Sequence, residues 1–140
     1  MITIKCAYVN LSPDAFQLWA NHYYKCKQDF QSPSKFSPVP YFLLCRSIEL
    51  TLKARHLHGD TKKAVKDKFS HNLKKCYDAL KEDFKLLNKD EYKVLKFANK
   101  IYSKKGFEYF NAEHAIKGYK NYPELNKLDV IAKKLIDSYV

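Results

Sequence analysis

Glycine and proline are scarce in this chain: three and five among 140 residues. So few glycines cannot build a phosphate-cradling loop, and so few breakers leave little room for long flexible linkers. Cysteine is thin as well. Cys6, Cys26, Cys45 and Cys76 lie far apart with no C-x-x-C pair, and His56 and His58, two apart at a helix end, face different ways. No metal site and no other cofactor is therefore expected. The cysteines fall on or near apolar faces and read as reduced core filler. No apolar run approaches the ~20 residues that cross a bilayer. Residues 1–6 lack a charged stretch followed by an apolar one, so no secretory leader is expected. Reduced thiols without a leader predict a cytoplasmic protein. No Ser, His and Asp set carries a triad motif.

What the chain does carry is positive charge and aromatic rings. Its formal net charge is +11, and of 26 basic residues only Arg46 and Arg55 are arginine. Eleven Tyr and nine Phe supply rings for a core or, in the case of Tyr, a polar rim. A field of this sign attracts polyanions. Nucleic acid ranks first as partner, an acidic protein second and an anionic membrane surface third.

Apolar residues recur at three-to-four spacing and nowhere alternate convincingly, which predicts an all-α domain. One domain over 1–140 is the default for this length. The first helix should start at Ser12 with Pro13 in its first turn and bury Phe16, Leu18, Trp19, Tyr23 and Cys26. Residues 31–40 are proline- and serine-rich and read as a loop. The second helix should run from about Pro40 to His58 and stop at Gly59, apolar nearly all round and therefore central. A short lysine-rich helix is expected within 60–70, and a third long one after Asn72, reaching Leu87. A fourth spans about Asp90 to Lys105, and the last runs from about Pro123. Four to five helices in one short chain make a compact bundle. Residues 106–122 fit neither period and form a long aromatic connection before the last helix.

Residues 37–54, ending Glu49-Leu50-Thr51-Leu52-Lys53-Ala54, resemble the second helix of bacterial HEPN-like domains (higher eukaryotes and prokaryotes nucleotide-binding). Phe69-Ser70-His71-Asn72-Leu73 is similar to the Gly-His-Asp-Leu that opens their next helix. Lys105-Gly106-Phe107-Glu108-Tyr109 and Tyr122-Pro123-Glu124-Leu125 look like the stretch before their last. The resemblance covers about 37–140. It implies a helical bundle, a homodimer, and roles around RNA in defence, toxin–antitoxin or RNA-processing systems. It also marks Arg46, Glu49, Lys53 and His71 as signature polar positions. Active members are metal-independent ribonucleases with Arg, four to six residues, then His. Here the matching positions after Arg46 are Thr51, Leu52 and Lys53, and after Arg55 they are Asp60, Thr61 and Lys62. Lys66 and His71 have the right gap, but lysine lacks the planar fork of arginine. The domain is thus expected to bind without cleaving.

Three constellations carry the functional reading. Glu49 and Lys53, with Arg46 a turn earlier, form either a small polar site in the bundle or a structural ion-pair network, and the structural role is preferred. His71 is a phosphate ligand, an acid or base, or a capping or packing residue, with capping or packing preferred. Lys89, Lys93, Lys96, Lys100 and Lys104 recur at helical spacing on one face, and Lys105 extends the row. From Tyr92 to Lys105 there is no carboxylate to neutralise it. Such a row beside aromatic residues 106–122 suits a phosphate backbone, with Phe107 and Tyr109 as stacking rings.

The leading expectation is a catalytically degenerate RNA- or nucleotide-binding domain in a defence or toxin–antitoxin-type system. The first alternative is a ribonuclease with a non-standard site, His71 as acid or base and Lys66 or Lys53 as phosphate cation. The second is a non-catalytic antidote or adaptor meeting an acidic protein.

Overall fold

The computed structural model describes residues 11–139, and Cys6 lies outside them. Among the described residues seven helices follow in order: α1 Ser12–Asp29, α2 Val39–His56, α3 Lys62–Phe69, α4 Leu73–Asp78, α5 Lys89–Tyr102, α6 Ala112–Ile116 and α7 Leu125–Asp137, with a 3-10 turn at Glu82–Phe84. The described residues contain no strand.

The chain wraps around α2, which packs against α1, α7, α4 and α5. Leu44, Cys45, Ile48 and Leu52 are buried there, as an apolar circumference demands. Each large aliphatic side chain removed from water stabilises the bundle by about 1.5–3 kcal/mol. Helix α1 comes close because small residues face each other. Ala20 is fully buried, and the Ser47 hydroxyl donates to its carbonyl at 2.7 Å. Gln17 ties three helices together: it accepts from Thr51 Oγ1 at 2.6 Å and donates to the Ile136 carbonyl at 3.3 Å.

Helix α5 begins with a capping box between Asn88 and Glu91. It ends in a Schellman-type closure, with Lys105 N–H donating to Tyr102 O at 2.9 Å and Gly106 N–H to Ile101 O at 2.8 Å. A side chain at Gly106 would meet Ile101 Cγ2 at 2.5 Å, which is why glycine sits there. Lys105 takes the left-handed position at φ +61°, where glycine is usual.

Several expectations are corrected. The long helix expected over 72–87 ends at Asp78. The chain then folds back, and the Tyr77 hydroxyl accepts the Leu87 amide at 2.9 Å, pinning the return toward the α5 cap. Leu18, Trp19 and Cys26 were expected in the core, yet all three are exposed, because α1 buries the face carrying Pro13, Gln17, Ala20 and Tyr24. Residues 106–122 are not featureless: they hold α6, and their rings join those of the 31–40 loop. Phe36 stacks on Tyr119 at 3.9 Å, and Phe107 packs against Tyr41 and Tyr122 at 5.4 and 5.2 Å. The Tyr41 hydroxyl donates to the Pro123 carbonyl at 2.8 Å.

Candidate functional site

Two charged regions emerge from this packing. The first is centred on Glu49, in the middle of α2, whose carboxylate is almost wholly buried. Helical spacing brings two cations to one oxygen: Oε2 accepts from Arg46 Nη1 at 3.1 Å and from Lys53 Nζ at 2.9 Å. Tertiary packing brings two more partners to the other. Oε1 accepts the Tyr102 hydroxyl at 2.6 Å and faces His71 Nδ1 at 2.9 Å. Tyr102 reaches it from the buried face of α5. His71 is held beside it because Asn72 caps α4 and Asn99 of α5 grips the same turn, accepting Leu73 N–H at 2.7 Å. His71 therefore does not cap; the cap is its neighbour.

Lys53 also donates to the Ser70 carbonyl. Ser70 sits at φ +46°, a strained conformation for a residue with a side chain, and that turn aims its carbonyl at the ammonium. Burial pushes the Glu49 carboxyl up. The Lys53 charge and the bonds from Tyr102, His71 and Lys53 outweigh that and hold it below the ordinary carboxylate range. Burial and the Glu49 charge push the Tyr102 phenol up, so it stays a donor. No buried polar side-chain atom among the described residues lacks a partner. The four resemblance-marked residues, Arg46, Glu49, Lys53 and His71, thus form one network. It opens on a cleft of 360 Å³ between α1, α2 and α3, which Lys66 also lines.

The second region is the outer face of α5 together with the turn that closes it: the helix ends at Tyr102 rather than at the expected Lys105, so Lys104 and Lys105 belong to that turn. Lys89, Lys93, Lys100, Lys104 and Lys105 are exposed and Lys96 is half-buried. Leu95, Ala98, Ile101 and Tyr102 face inward. Among the described residues none of these six lysines takes part in an ion pair. Glu91, the nearest acid along the helix after Asp90, is occupied by Lys134 at 2.8 Å. Lys96 instead lies over the Tyr92 ring at 4.9 Å, and Lys100 near the exposed Phe97 ring at 6.0 Å. Lys100 and Lys104 line a second cleft, of 430 Å³, with Phe97, Asn111 and His114. Tyr109 is exposed, and its N–H donates to the Lys105 carbonyl at 3.1 Å. Phe107 is the exception among the expected stacking rings: it is only 4% exposed, held in the aromatic cluster, and is core. Sequence reasoning missed Phe97, an exposed ring on the row itself; its position between Lys96 and Lys100 was the available signal.

No cluster of His, Cys, Asp and Glu that could hold a metal occurs among the described residues. The thiols of Cys45 and Cys76 are buried, and burial pushes Cys76 up to about 12. No helix among the described residues is long and apolar enough to cross a membrane. Comparison with protein-family models, with curated proteins and with solved structures found no match for this chain.

Proposed function

We infer that this chain is an RNA- or nucleotide-binding domain that holds a phosphate backbone along the outer face of α5. The observation that carries the reading is the lysine row: five exposed lysines and the half-buried Lys96, none of them paired with an acid among the described residues. Within α5, Lys89 to Lys100 span ~16 Å, and Lys104 and Lys105 continue the row in the turn beyond, long enough to follow several phosphates of one strand. Phe97 and Tyr109 beside the row supply rings on which bases stack. The resemblance to HEPN-like domains supports the same class of ligand, and the missing Arg–His motif favours binding over cleavage.

The test is binding of labelled, mixed-sequence single-stranded RNA at low salt, with the RNA recovered and its length checked. Binding with intact RNA is expected. No binding at low salt overturns the reading. Cleavage by the parent that His71→Ala abolishes replaces it with catalysis in the Glu49 cleft.

A further inference from the structure

The cleft beside Glu49 has a character of its own. Helix α3 carries four lysines on one short helix, and the fold treats them in two ways. Lys63 pairs with Asp67 at 3.3 Å and Lys68 with Asp60 at 2.7 Å, both away from the cleft. Lys62 and Lys66, one turn apart, line the cleft, are exposed and enter no ion pair. Across from them Arg46 and His71 reach its edge, with side chains 28% and 47% exposed. Glu49 is the cleft's one carboxylate, and both its oxygens are already committed to Arg46, Lys53, Tyr102 and His71. The opening is therefore cationic and has no acid left to cancel it.

The remaining wall is α1, with Phe16 and Trp19. Trp19 is the chain's one tryptophan, and 58% of it is exposed although it sits on a helix with a buried face of its own. A tryptophan left open over a cationic cleft matches a ligand that is planar and aromatic at one end and anionic at the other. Trp19 also lies before the segment that carries the family resemblance.

We propose that the cleft between α1, α2 and α3 binds a nucleoside monophosphate, its base on Trp19 and its phosphate between Lys62, Lys66 and His71. This site is separate from the α5 row, and each stands or falls without the other. Because Trp19 is the single tryptophan, its fluorescence reports the site directly. Titration with adenosine monophosphate is expected to quench it saturably, and inorganic phosphate at higher concentration to reverse the quench. Lys62→Glu/Lys66→Glu, on an exposed face, is expected to weaken binding about tenfold or more, since the two cations supply charge-assisted bonds. Trp19→Leu, followed by calorimetry, is expected to lose about tenfold through stacking. Reversing Lys93, Lys100 and Lys104 to Glu is expected to leave the quench unchanged. Absence of saturable quenching, or the same affinity in Lys62→Glu/Lys66→Glu with its helicity intact by circular dichroism, overturns the proposal. Equal binding of the nucleotide by parent and Trp19→Leu also overturns it.

Discussion

The Glu49 cluster and the α5 row use the same residue types for opposite ends. Around Glu49, polar side chains from α2, the turn before α4 and α5 converge on one carboxylate, and both its oxygens have two partners each. On α5 the lysines lie at the same three-to-four spacing that pairs Lys53 with Glu49, but the helix's two acids, Asp90 and Glu91, sit in its first turn and none of the row pairs with them among the described residues. Buried charge must be satisfied or the fold fails, whereas exposed charge carries little stability and is free for a ligand. The contrast separates a residue set that holds the protein together from one that is open to a partner.

Breaking the first set should have the largest effect. Glu49→Gln leaves Lys53, a buried cation, without its counter-charge and is expected to cost about 3–5 kcal/mol in urea or thermal unfolding. Glu49→Leu/Lys53→Met, which removes both ends of the pair, should recover a good part of that loss. A loss below ~1 kcal/mol for Glu49→Gln would place the cluster with ordinary surface pairs.

Acid probes the same carboxylate without mutation. The folded carboxyl is held below its ordinary value of 4.5, so its contribution to stability is complete above that value. It is lost as the pH falls toward the lowered folded value. Acid unfolding followed by circular dichroism should therefore steepen below pH 4.5 in the parent and less so in Glu49→Leu/Lys53→Met.

A smaller effect sharpens the comparison at the junction of the two regions. Lys105 occupies the left-handed closing position of α5 that glycine fills more easily. Lys105→Gly is expected to stabilise the domain by about 1 kcal/mol while lowering RNA affinity modestly. A variant that gained stability with no change in RNA binding would remove Lys105 from the row.

Much of the bundle was legible from spacing alone. The periods of α1, α2, α5 and α7 are long, and helix geometry fixes which residues share a face, so the lysine row could be read as a row. Arg46, Glu49 and Lys53 were legible as neighbours for the same reason, and a structural ion-pair role was the preferred reading. What no local rule carries is that Tyr102, 53 residues from Glu49 in sequence, donates to it, or that Asn99 holds the turn bearing His71. Those contacts exist only after α5 packs on α2 and α4. Trp19 and Phe107 were misplaced in opposite directions. A tryptophan at helical spacing reads as core, and aromatics among lysines read as surface. Here the small and polar side of α1, with Ala20 and Gln17, turned inward, and Phe107 found partners in Tyr41 of α2 and Tyr122. The long helix expected over 72–87 failed because Tyr77 secures the chain's return, a contact between residues ten apart.

The most direct test of the account compares the salt dependence of RNA binding in the parent and in Lys93→Glu/Lys100→Glu/Lys104→Glu. For a single strand, log affinity falls with log salt by about 0.7 for each phosphate neutralised. The account predicts a parent slope steeper by about 2 than that of the variant, affinity at least ~100-fold lower in the variant at low salt, worth about 2.7 kcal/mol, and stability within ~0.5 kcal/mol of the parent. Equal slopes, or a parent that binds with no dependence on salt, would contradict it.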